Sequence, residues 1–257
     1  MNPRPLFDSH LHIIDPRFPL VENAGYLPAS FTVSDYRART AAWPLVGGAA
    51  VSGSFQAFEQ SYLLAALREL GEGFVGVTQL PPTVTDDEVL ALAAAGVRGV
   101  RFNLRRGGSA AAADLEAMAA RFHELAGWHV ELYVDAAELG PLRHMLLELP
   151  SLCIDHLGLS RAGLQDLLSL VERGVRVKAT GFGRVDFPVE AALREIHAVN
   201  PEALMFGSDL PSTRAPRPFA ESDIDRVGEA LGDAGARAVL CDNALAFYRV
   251  QNRSDVT

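Results

Sequence analysis

Cysteine is scarce. The chain has two, Cys153 and Cys241, in 257 residues, too few for a disulfide framework. Cys153 lies in the apolar run Leu152-Cys153-Ile154, which suits packing rather than chemistry. Basic residues are outnumbered, 23 Lys and Arg against 32 Asp and Glu, for a net charge of −9. That balance argues against nucleic acid or an anionic membrane as partner, because phosphate binding needs a basic surface. Long hydrophobic runs are missing too: none approaches the roughly 20 apolar residues of a spanning helix. The opening Met1-Asn-Pro-Arg-Pro-Leu6 lacks the basic and apolar regions of a signal peptide. A cytoplasmic protein is expected. Apolar residues are plentiful, at 49% of the chain, enough to bury a large core and to argue against disorder.

Short apolar runs alternate with amphipathic stretches. Strands are expected at 6–12, 46–52, 74–79, 97–103, 129–135, 151–156, 175–181 and 203–209. Helices are expected at 58–70, 86–95, 111–126, 139–149, 161–173, 189–199 and 222–231. Glycines 71, 96, 127 and 174 stand just before the next strand, where a helix end favours a left-handed residue. Eight strand-plus-connection units predict a single-domain (β/α)8 TIM barrel over residues 1–257. A doubly wound open sheet is the runner-up, since alternation alone fits both. Residues 13–45, with Pro16, Pro19, Gly25, Pro28 and Pro44, read as one long loop after the first strand. In a barrel this loop lies at the catalytic end, and Tyr26 and Phe31 are its candidates to reach a ligand. The alternative, given equal weight, is that they only pin the loop to the barrel.

His10-Leu11-His12 closes the first strand. Residues two apart share a face of a strand, so both imidazoles leave together, on the face of Asp8. Later strands end in Ile154-Asp155-His156 and Gly207-Ser208-Asp209. The bland readings are a strand cap for His10 and His12, a satisfied core ring for His156, and a turn cap before Pro211 for Asp209. Their convergence at one barrel end favours chemistry, because a carboxylate among imidazoles suits a general base or a metal site. His129 opens its strand and is assigned to structure; His123, His144 and His197 fall in helices and are assigned to the surface.

Arginines gather at the same ends: Arg101, Arg105 and Arg106 at the fourth strand, Arg184 after the seventh, Arg214 and Arg217 after the eighth. In an acidic chain this points to a small anionic substrate, since a guanidinium matches a carboxylate with two bonds. Arg101 and Arg184 are the foremost candidates; surface ion pairing competes for the rest. Lys178 belongs to the seventh strand, where core ion pairing weighs at least as much as a role in the site.

With these residues in hand, the chain resembles the amidohydrolase superfamily in its amidohydrolase-2 branch. The resemblance runs from Phe7-Asp-Ser-His-Leu-His12 to Phe206-Gly-Ser-Asp-Leu-Pro211. Val97-Arg-Gly-Val-Arg-Phe-Asn-Leu104 and Ile154-Asp-His-Leu-Gly158 are most like the 2-pyrone-4,6-dicarboxylate lactonases. The resemblance implies a barrel hydrolase for a small carboxylated lactone. It implies Asp209 as the base that activates water, with His10, His12 and His156 polarising the carbonyl. It implies Arg101 and Arg184 as substrate-carboxylate partners and Ser54 and Tyr133 as substrate contacts. Metal-dependent members usually add a histidine ending the fifth strand and often a lysine or glutamate on the fourth. Here those strands offer Tyr133-Val-Asp135, and Arg101 with Asn103. No cofactor is therefore expected. The alternative is one zinc or manganese ion on His10, His12, His156 and Asp209, with decarboxylation or hydration as the reaction. A non-catalytic binder of small carboxylates is the third reading, disfavoured because a binder needs no base. Some barrels of this type dimerise, and a homodimer is kept open.

Overall fold

The computed structural model describes residues 4–251. Residues 1–3 and 252–257, the ends of the expected domain and part of the stretch read for a signal peptide, lie outside the described residues. Eight strands form: β1 Leu6–Leu11, β2 Leu45–Val51, β3 Phe74–Thr78, β4 Val97–Asn103, β5 His129–Tyr133, β6 Leu152–Ile154, β7 Arg176–Ala179 and β8 Leu204–Phe206. Each pairs in parallel with the next in sequence order. Just beyond the last strand, the Asp209 N–H donates to the His10 carbonyl at 2.7 Å and the His12 N–H to the Leu210 carbonyl at 2.8 Å. Those bonds link the last strand's end to the first. The fold is the (β/α)8 barrel, not the open doubly wound sheet.

Helices cover the outside: α1 Val33–Arg39, α2 Ser61–Leu70, α3 Asp86–Ala94, α4 Leu115–Ala126, α5 Leu139–Glu148, α6 Leu164–Val171, α7 Val189–Val199, α8 Ser222–Arg237 and α9 Asn243–Tyr248. Helix α3 starts where Thr85 and Glu88 cap each other's backbone, a reciprocal box that satisfies two otherwise orphaned N–H groups. Glycines 71, 96, 127 and 174 all take positive φ, as their positions at helix ends require. Among the described residues no helix is long and apolar enough to cross a membrane.

Three expectations are corrected. Segment 13–45 is not one loop: it holds α1, nucleated by a capping box between Thr32 and Asp35. Its 7 residues are too few to show a clear helical period among so many prolines. The last expected helix, 222–231, is not the chain's last. The chain turns through left-handed Gly232, continues, and lays α9 under the barrel. Tyr248 stacks on Phe7 at 5.5 Å, and its hydroxyl donates to Glu131 Oε1 at 2.7 Å. Finally, Asp8 does not share a face with His10. The register of β1 against β2 shifts between Asp8 and Leu11. Asp8 accepts from Tyr36 of α1 and from Ser208, while His10 turns to the barrel interior.

Candidate active site

The expected strands run too far at their C-terminal ends. His156 and Asp209 adopt left-handed backbone, φ 52° and 61°, two residues past the end of β6 and three past the end of β8. Such a conformation is costly for a residue with a side chain and clusters at functional sites. Here it breaks the strand and aims both side chains across the barrel mouth. Gly207 lets this happen: a Cβ there would lie 2.7 Å from the Cβ of His10. Gly181 is needed too, at φ 60°, since a Cβ would lie 2.6 Å from His156 Nδ1.

The four expected residues do meet. His10, His12, His156 and Asp209 are all at most 4% exposed. His12 donates from Nδ1 to the Val51 carbonyl at 2.7 Å, because a carbonyl can only accept. Its Nε2 then faces Asp209 Oδ1 at 3.7 Å. His10 Nε2 faces the same oxygen at 4.0 Å. Both His10 Nε2 and Asp209 Oδ1 are buried without a hydrogen-bond partner, as is His156 Nδ1. Buried polar atoms are rarely left so, and the two that face each other, His10 Nε2 and Asp209 Oδ1, mark a place for a ligand.

Asp209 Oδ2 is occupied. Arg184 reaches it through Nε at 2.8 Å and through a terminal nitrogen at 2.7 Å. Burial alone would raise the Asp209 carboxyl, but Arg184, then His156 and His12, outweigh it and hold it well below the usual carboxylate range. Arg101 is also committed. It holds Asp155 Oδ2 from Nε at 3.0 Å and from a terminal nitrogen at 2.8 Å, and donates to the Ser52 carbonyl at 2.9 Å.

A cavity opens above these groups. Ser54, Tyr133, Arg101 and Arg184 line it. So do Arg106, Arg214 and Tyr26; Phe31 does not, and packs on the core. Arg106 and Arg214 pair with no carboxylate among the described residues. Arg214 leans on Asn23 and on the Tyr26 ring, 4.3 Å away. Burial, then the nearby Arg106 charge, lowers its pKa. Two cations with no acid partner among the described residues, facing one cavity, suit an anion. Asn103 positions the first of them by accepting from the Arg106 N–H at 3.0 Å.

Two groups could hold a metal ion: His10, His12 and Asp209, and His10, Asp155 and His156, each with its donor atoms within 4.8 Å of one another. The unpartnered His10 Nε2 and Asp209 Oδ1 belong to the first, and nitrogen-plus-carboxylate sets suit zinc. By kind of atom these residues suit an ion, provided that His10 Nε2 carries a lone pair and not a proton.

Acid should weaken the fold. Burial, then Lys178, His156 and His12, holds His10 well below the usual histidine value. Burial, against the pull of Asp209, does the same for His156, and burial lowers His129. The unfolded chain takes up protons near 6.5 that these folded rings refuse, so stability falls as pH drops below that value. Asp8, raised by burial to about 6, acts oppositely: its contribution is full below 3.8 and lost as pH rises through 6. Three rings outweigh one carboxyl. The melting temperature should be lower at about pH 5 than at about pH 7.5; a flat or reversed profile would refute the buried neutral histidines.

Residues 7–250 match the family model Amidohydro_2, described as amidohydrolase. The chain is 28% identical to 4-sulfomuconolactone hydrolase of Rhizobium radiobacter, over 96% of this chain and 91% of that one. It is 25% identical to 2-pyrone-4,6-dicarboxylate hydrolase of Comamonas testosteroni, over 80% and 70%. An apo crystal structure from Agrobacterium tumefaciens superposes with a TM-score of 0.84, at 25% identity and 97% coverage of both chains. With the family model spanning nearly the whole barrel, from Phe7 to beyond α9, the chain belongs to the amidohydrolase family Amidohydro_2.

Proposed function

We propose that this hydrolase opens a small carboxylated lactone or related ester, with Asp209 as the base. The observation that carries the reading is Asp209 Oδ1, buried and unpartnered, facing two imidazoles beneath an arginine-lined cavity. The relatives named for lactone hydrolysis support the substrate class.

Water sits between Asp209 and His12. Asp209 takes one proton as the water oxygen attacks the lactone carbonyl carbon. Charge moves to the carbonyl oxygen, where His10 and His156 donate; each such donor is worth about 3–4 kcal/mol in the transition state. The tetrahedral intermediate collapses, the ring C–O bond breaks, and the leaving oxygen takes the proton back from Asp209. Arg184 draws the Asp209 carboxylate into place and, with Arg101 beneath, faces the substrate carboxylate. Ser54 and Tyr133 flank the ring. If zinc or manganese were bound, His10, His12, His156 and Asp209 would hold it and it would acidify a water. Cations already occupy the neighbourhood, since Arg184 holds Asp209 and Lys178 sits beside His10. We therefore assign the reaction to the chain's own residues.

Arg106 and Arg214 carry the anion's second contact. The Arg106→Ala, Arg214→Ala double variant should raise KM roughly 10–100-fold with kcat nearly unchanged, as loss of charge-assisted bonds requires. An unchanged KM would sink the anionic-substrate reading.

A further inference from the structure

The mechanism leaves one buried charge unexplained. Lys178, midway along β7, is fully buried. Its Nζ lies 2.5 Å from Glu131 Oε2, 3.9 Å from Asp155 Oδ1 and 3.1 Å from His10 Nδ1. Tyr248 closes the space below, with its ring 5.9 Å from Nζ.

An ammonium has three donors and no lone pair. Beside it, His10 Nδ1 can only accept. A neutral imidazole that accepts at one nitrogen carries its proton on the other. Without Lys178 the choice would reverse, because Asp155 Oδ1 stands 3.5 Å from the same Nδ1, buried and with no partner of its own. It would accept a proton from Nδ1 and leave Nε2 as a bare lone pair.

We propose that Lys178 is a positioning residue that sets the His10 tautomer, keeping the ring proton on Nε2, the nitrogen that faces Asp209 Oδ1. The consequence is chemical. Before substrate binds, Nε2–H makes the three-residue set one donor facing two acceptors, His12 Nε2 and Asp209 Oδ1; once substrate is bound, the same N–H turns to its carbonyl oxygen. That pattern matches a water molecule. A metal ion needs three lone pairs and finds a proton in place of one. Lys178 thus turns a histidine-carboxylate cluster away from metal and towards water. The catalytic consequence rests on the lactonase reading above; the tautomer does not.

The test is nitrogen-15 NMR of histidine-labelled protein, with the His10 ring assigned by its loss in His10→Gln. The expected result for the parent chain is a proton on Nε2 and none on Nδ1. Lys178→Met alone would strand Glu131 in the core, so the variant for comparison is the charge-balanced Lys178→Met, Glu131→Gln. In it the proton should move to Nδ1, kcat on a carboxylated lactone should fall roughly 100-fold with KM within about twofold, and zinc should be retained through desalting where the parent retains less. A parent ring protonated on Nδ1, or a tautomer unmoved in the variant, overturns the proposal. The expected tautomers in a protein that opens no lactone would overturn the function and leave Lys178 its role.

Discussion

Asp209→Asn should fold as the parent does and lose at least about 1,000-fold in lactone turnover, the scale set by a positioned general base. Asparagine keeps the shape and an acceptor for Arg184, so the cavity and its arginines survive. It cannot take a proton from water at neutral pH. KM should move little, because the substrate's carboxylate contacts remain. The variant also separates roles within the site: His12→Ala removes an acceptor for water but leaves the base, and should cost less. Circular dichroism and a melt establish that the fold persists; full activity in the variant would eliminate Asp209 as base.

Glu131→Leu should produce the largest loss of stability. Glu131 is fully buried, held by Lys178, His129 and Tyr248. Burial would raise its carboxyl, but Lys178 and then His129 pull it down to about 2. Leucine strands the Lys178 ammonium in the barrel core, and leaving one partner of a buried pair costs about 3–5 kcal/mol. For a chain of this size that is roughly 10 °C of melting temperature or more. Removing both charges should restore much of it, because the penalty belongs to the unpaired ion. A leucine variant that melts with the parent would show that the pair contributes little to holding the barrel floor. The pair also adds acid sensitivity: its contribution is present above 4.5 and lost as pH falls towards 2.

The barrel is legible in the sequence because local signals agree. Eight apolar runs recur with helical stretches between them, and the glycines that end helices stand where left-handed backbone is needed. The site is legible in its members for the same reason: His10, His12, His156 and Asp209 follow apolar runs that a barrel gathers at one end. The backbone of the site is less so. Period-two reading carries strands through His156 and Asp209, where the chain turns left-handed under tertiary constraint. The same reading misses the register shift that sends Asp8 outwards to Tyr36. The partners of the arginines are the least legible. Arg101 and Arg184 have inward strand ends in their favour, yet each already holds an acid, Asp155 and Asp209. Arg106 and Arg214, in loops without a period, face the same cavity with no acid partner among the described residues. Spacing does not say which acid an arginine will find across the fold. Glu131 and Lys178 had one visible signal, a charge inside an apolar strand, and the pairing across β5 and β7 supplied its meaning.

The most direct measurement runs the parent and Asp209→Asn side by side, chelator-treated, on carboxylated lactones in heavy-oxygen water, with products read by mass spectrometry. The account predicts a ring-opened acid carrying one heavy oxygen from the parent and almost none from the variant. Release of carbon dioxide without that label, or equal labelled product from both proteins, would contradict it.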